Sequence, residues 1–257
     1  LDFSLCSFVD HTVMEGLNEY RRGFARKGGA FEIIGLDTHT ADTQHPFAIR
    51  KSLPANDFFR INNNLTKRQL SLQKLSTILG WGYRSEASSD TKELERFDFF
   101  KAKIINYQFN EIVNESGDFH LFDLSYSEGA FISKDNIVSS FLLINLKFDI
   151  PVFILDRENL LGGINENTVY KDLDFPKHPD FSKRFFLGGK KASEIRGLFD
   201  SKLIFFFESH AYFRVESIGK SLLIKGKNRL SSIQEIKQLL AFSTELMSII
   251  NNKYLDK

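Results

Sequence analysis

The sequence predicts an α+β fold, and three observations lead there. Aromatic and β-branched runs between residues 101 and 155 are separated by short turn signals, the pattern of antiparallel strands. These strands come as a block, with helical patterns after them rather than between them. The last of those patterns is the clearest helix of the chain: Ser232 and Glu235 cap it, and Ile236, Leu239, Leu240, Met247 and Ile250 line one face.

The elements read in order as follows. Leu1 to Val9 is a short half-apolar strand carrying Phe3, Leu5, Phe8 and Val9, and it runs into a helix through Asp10-His11-Thr12. Thr12 with Glu15 three residues on is a capping-box pattern, and Val13, Leu17, Tyr20 and Phe24 share a helical face. Gly28-Gly29 ends that helix, and Ala30 to Leu36 reads as a second strand. Lys51 to Asn64 is polar, carries Pro54 and reads as a linker. Thr66 and Gln69 then cap a helix striped with Leu65, Leu72, Leu75 and Leu79, which Gly80-Trp81-Gly82 stops, and Ser85 to Thr91 is polar again. The stripe must bury against something, and the second domain is its nearest candidate.

That domain begins near Leu94. Lys101 to Glu115, Asp118 to Ser127, Asn136 to Phe148 and Val152 to Leu155 read as strands of an antiparallel meander. Arg184 to Leu187 adds a short strand, and Ala192 to Ser209 reads as one helix with Ile195, Leu198, Phe199 and Phe206 inside. Tyr212 to Ser217 and Ser221 to Lys225 form a hairpin across Ile218-Gly219-Lys220. The expected organisation is 1–50, a linker with one helix at 51–93, and an α+β domain at 94–257.

Composition narrows the function classes. A net charge of +1 gives no electrostatic argument for nucleic acid or an anionic membrane surface. The 27 Phe, beside one Trp and two Met, mean that aromatic packing dominates the cores. A single Cys6 excludes an internal disulfide. The longest apolar stretch, Ile137 to Leu155, contains Lys147, Asp149 and Pro151 and reads as two strands and a turn, so a soluble chain is expected.

Several short words fall in a telling order: Phe8-Val-Asp10-His-Thr12 before the first helix, Gly28-Gly29 after it, Ile34-Gly35-Leu36 closing the second strand, then His45-Pro46-Phe-Ala-Ile-Arg50-Lys51. Together they resemble the second half of a STAS domain, in the branch attached to SulP-type anion transporters. The resemblance covers roughly the first fifth of the chain. It implies a β-α-β remnant that begins inside the STAS domain, with a membrane domain upstream. The parent would move sulfate, bicarbonate or a similar anion. This region would regulate, assemble or stabilise the permease at the cytoplasmic face of the inner membrane, catalysing nothing and needing no cofactor. Its partner would be the transmembrane domain of its own parent, with room for a homodimer, no nucleic acid and only indirect membrane contact.

The same resemblance places Thr12 on the phosphate acceptor of the anti-anti-sigma relatives, with Asp10 just before it. Asp10, His11 and Thr12 are thus the candidate regulatory junction, and that loop is the family's interaction surface. The alternative is a soluble STAS phospho-switch with an added sensor domain, from which His11 departs because those relatives carry a small residue there. A plainer reading is that Thr12 caps the helix and Asp10 sits near its positive end.

Other chemistry is sparse. The six histidines (11, 39, 45, 120, 178, 210) show no metal-ligand spacing, and no metal is expected. His39 and His45 read as turn residues, His120 as strand surface, His178 as loop. Gly188-Gly189-Lys190-Lys191 lacks the spacing of a phosphate loop and reads as a turn. Cys6 reads as a small core residue. Asp172, Asp174 and Asp180 read as solvated loop charge. Lys220, Lys225, Lys227 and Arg229 form the densest basic patch, read as a solvated hairpin surface that could touch lipid headgroups. No charged catalytic constellation supports an enzyme reading of 94–257.

Overall fold

The computed structural model describes residues 1–3, 6–29, 31–36, 39–52, 65–85, 91–129, 135–158 and 170–254. Most of both polar stretches expected around 51–64 and 85–91 lies outside them. The chain divides into two compact units, Leu1–Ser89 with Tyr107–Ile112, and Asp90–Asn106 with Val113–Lys257. The α+β class is as expected, with helices beside antiparallel sheets.

In the first unit, β1 (Phe8–Val9), β2 (His39–Ala41) and β3 (Arg50–Ser52) form a small antiparallel sheet in the order β1-β3-β2. Phe8 pairs with Lys51 and Val9 with Arg50. The helix α1 (His11–Arg26) follows β1 directly. Of the strand expected over Ala30 to Leu36, the described residues 31–36 do not form one. They keep one parallel bridge, Asp2 to Ile34, in which Phe3 N–H donates to the Ile34 carbonyl at 2.8 Å and Ile34 N–H to the Leu1 carbonyl at 2.9 Å. The next residue, Gly35, has φ +87°, a left-handed backbone that ends the extended run.

Helix α2 (Lys67–Leu79) carries the expected capping box of Thr66 and Gln69, and Gly80 closes it at φ +69°. Leu72 and Leu75 are buried, but Leu79 is exposed, so the stripe is narrower than its spacing suggests. α2 groups with the first unit rather than with the second, as does the short β4 (Gly82–Arg84).

The second unit opens with two 3-10 turns, Leu94–Arg96 and Asp98–Phe100. β5 (Lys103–Val113) has its ends in this unit and its middle in the first. Then come β6 (Phe119–Glu128), β7 (Asp135–Asn145), β8 (Phe153–Arg157), α3 (Pro179–Arg184), β9 (Phe185–Gly189), α4 (Ala192–Leu198), α5 (Ser201–Ser209), β10 (Arg214–Ser217), β11 (Ser221–Lys225) and α6 (Ile233–Tyr254). Within the unit the strand order is β6-β7-β11-β10-β8-β9, antiparallel throughout.

The simple meander is therefore corrected: the β10–β11 hairpin lies between β7 and β8. The chain leaving β7 does not turn back. Leu146 N–H donates to the Lys220 carbonyl at 2.7 Å and Ile150 N–H to the Gly219 carbonyl at 3.2 Å, which ties it to the hairpin turn. The single helix expected over 192–209 is also corrected. Asp200, extended at φ −77°, ψ 174°, accepts Leu203 N–H and starts α5 as a new helix.

Alternation along the strands gives the sheet two faces. One carries Phe122, Phe141, Leu143 and Leu223 and is covered by Leu94, Phe97 and Phe100. The other carries Leu155, Val215 and Ile224. On that side Phe153 meets Phe199 at 5.1 Å, and Phe242 of α6 packs on Phe206 and Phe213 at 4.9 and 4.7 Å. α6 keeps its expected cap: Ser232 N–H donates to Glu235 and Glu235 N–H to Ser232 Oγ. No helix among the described residues is long and apolar enough to cross a membrane.

Candidate functional site

The junction between β1 and α1 is held by fewer residues than its sequence suggests. Asp10 is extended at φ −79°, ψ 170°, and its Oδ1 accepts Val13 N–H at 2.7 Å, so Asp10 is the cap. Thr12 lies within the first turn, exposed, and does not cap the helix. The expected Thr12–Glu15 capping box is thereby corrected. Glu15 instead meets His11 Nε2 at 3.2 Å. His11 Nδ1 lies 2.7 Å from the Phe47 carbonyl.

The loop that meets His11 brings a second histidine. Phe47 N–H donates to His45 Nδ1 at 3.1 Å, and His45 Nε2 lies 3.2 Å from Tyr107 Oη. The two imidazoles are edge to face at 4.8 Å between centroids, and Phe47 packs on Tyr107 at 4.5 Å. Burial holds the His45 pKa below its ordinary value, the nearby His11 adds to this, and Glu15 opposes it more weakly. Four polar groups, His11, Glu15, His45 and Tyr107, thus converge beside Asp10. His45 opens a turn as expected, Ala48 N–H donating to its carbonyl at 3.0 Å, and its ring also joins this cluster. Spacing could not reveal it, since Tyr107 stands 62 residues further along.

The other sequence candidates fall elsewhere. His39 is fully buried, its Nδ1 3.0 Å from the Gly35 carbonyl and its Nε2 2.6 Å from the Cys6 carbonyl, which corrects the turn reading. Cys6 is only half-buried and lies outside the named strands. His120 contacts the Gly117 carbonyl, His178 contacts Ser201, and His210 sits between the Phe206 carbonyl and Glu245. Among the described residues no three His, Cys, Asp or Glu are placed to hold a metal.

The basic patch is taken apart by the fold. Lys227 and Arg229 both bind Glu235, and Lys220 stays exposed 4.0 Å from Asp149. Lys225 is buried, because it faces the covered side of the sheet in a row with Arg214 and Asp156. There Asp156 takes the Tyr212 hydroxyl and the Arg214 guanidinium, and Arg214 reaches Glu216 at 3.3 Å. Glu216 accepts the backbone N–H groups of Asp98 and Phe99, which pins the covering 3-10 turn. The Phe99 ring lies 4.6, 5.2 and 5.3 Å from the Lys103, Lys225 and Arg214 cations. Burial, helped by Arg214, lowers the Lys225 pKa to about 8. Burial raises that of Glu216. Sequence reasoning missed this row because its signal is alternation across three strands of unknown order.

Two loop readings change as well. Asp172 is not simply solvated: its Oδ1 accepts Leu173 N–H at 2.8 Å and Leu187 N–H at 2.9 Å, fastening the preceding segment to β9, and burial raises its pKa. Asp174 and Asp180 are exposed. Gly188 and Gly189 end β9 rather than forming a turn. A Cβ on Gly189 would collide with the Val152 carbonyl and stand 2.6 Å from Ile195 Cδ1.

No protein-family model matches the chain, and no curated protein matches it. Among solved structures, the crystal structure of the mycobacterial trehalose monomycolate transport factor A, TtfA, superposes with a TM-score of 0.50 at 10% identity, covering 71% of this chain and 95% of that one. At that identity the likeness shows the fold alone.

Proposed function

We propose that the chain is a non-catalytic regulatory and assembly region of a SulP-type anion transporter, working at the cytoplasmic face of the membrane against the transmembrane domain of its own parent. The observation that carries this reading is the junction itself. The residues that resemble the SulP branch, Asp10-His-Thr12 and His45-Pro46-Phe47, meet each other through His11 and the Phe47 carbonyl. Two words 36 residues apart thus meet at one junction. In the second unit the row of Asp156, Arg214 and Glu216 is internally paired, and Glu216 holds the covering turn.

The parent's anion is sulfate or bicarbonate on this reading, and the accessory unit stabilises the assembly. A transport assay tests it. A SulP-type membrane domain is reconstituted in liposomes with and without this chain fused behind it. Uptake, or the yield of assembled transporter, should depend on the chain. Equal uptake and equal assembly in both preparations would refute the proposal.

A further inference from the structure

The His45 ring has one lone pair already in use. Its Nδ1 accepts Phe47 N–H, so the neutral ring carries its proton on Nε2 and donates to Tyr107 Oη. A second proton has only Nδ1 to go to, where an N–H already points. We propose that protonation of His45 releases residues 45–48 from the start of α1, making this junction a pH-sensitive latch. The Phe47 amide loses its acceptor, and a positive charge appears on a ring 4.8 Å from that of His11.

The ionisable groups facing His45 are His11 and Glu15 of α1 and Tyr107 of β5. Glu15 is already engaged by His11 at 3.2 Å and cannot fully serve both rings. The released segment matters mechanically. Phe47 and Ala48 are buried, and β3 begins two residues later against Val9, next to the capping Asp10.

The sign follows from the direction of the shift. The folded pKa lies below the ordinary 6.5, so the unfolded or opened state binds more protons. The stabilisation from neutral His45 is complete above 6.5, is lost as the pH falls from there through the lower folded value, and changes no further beneath it. The latch stands on this chain's own geometry and does not depend on the transporter reading.

Amide exchange of the full chain, corrected for the intrinsic pH dependence of exchange, tests it. Between about pH 7.5 and about pH 5, protection at Phe47 and Ala48 should fall by about tenfold or more while α6 amides hold. His45→Asn keeps an acceptor for the Phe47 amide and cannot take the proton, so its protection should not vary. Should that variant fail to fold, ring titration of His45 in the unaltered chain serves instead, and its midpoint must coincide with the loss at Phe47. Protection that is constant with pH, or that falls equally in His45→Asn, or that falls without His45 titrating, would overturn the proposal.

Discussion

Asp10 and Thr12 compete for one job, and the backbone decides between them. A capping side chain must come from an extended residue just before the first helical turn, which Asp10 satisfies and Thr12, inside the turn, does not. Asp10→Ala should therefore cost about 1 kcal/mol of α1 stability, and Thr12→Ala no more than about 0.5. Amide exchange over residues 13–26 reads both. A larger loss in Thr12→Ala would contradict the assignment. Lys225 supplies the second residue-scale test. Its pKa falls from 10.5 to about 8, so the fold favours the neutral amine. The resulting cost is full below about 8 and is relieved as the pH rises toward 10.5. Lys225→Met should be more stable than the natural chain at pH 7 by about 1–3 kcal/mol, with the gap closing near pH 10. Urea midpoints at the two pH values measure this, and a variant weaker at both would show that the cation contributes net stability. Neither residue's role was legible from its neighbours alone: the capping rule fits both Asp10 and Thr12, and Lys225 sits among basic residues that do face solvent.

At the scale of elements, local signals were readable and long-range ones were not. The capping boxes at Thr66–Gln69 and Ser232–Glu235 form as their spacing requires, since each involves one turn of chain. Gly117 and Gly219 mark turns and adopt φ +72° and +96°. The hairpin's insertion between β7 and β8 was hidden, because it depends on bonds from Leu146 and Ile150 to residues about seventy positions away. The break at Asp200 was hidden by an apolar stripe that continues across it, although Asp followed by Ser was the available cue. One element-scale contact is sharply testable. Gly189 ends β9 where β8 and α4 close in, so Gly189→Ala forces backbone or Ile195 to move. It should cost about 1–3 kcal/mol or more. Gly197→Ala, where an added Cβ meets nothing within 4 Å, should instead be neutral or stabilising. Chemical denaturation of the pair checks the contrast, and equal effects would contradict the packing described for β9.

For the whole molecule, the chain's two units divide the labour in the proposed function: the first carries the junction, the second a Phe-lined sheet locked under its own cover. The words at 8–12 and 45–51 that resemble the SulP branch stand in the sequence, while their meeting through His11 needed the fold. The central claim is that the junction binds a transporter's membrane domain. Binding of the full chain to a SulP-type membrane domain in nanodiscs, measured by titration, tests it most directly. The account predicts saturable binding that Thr12→Ala leaves unchanged and that Thr12→Glu, placing a charge on the exposed turn, weakens about tenfold. No saturable binding, or binding indifferent to Thr12→Glu, would contradict it.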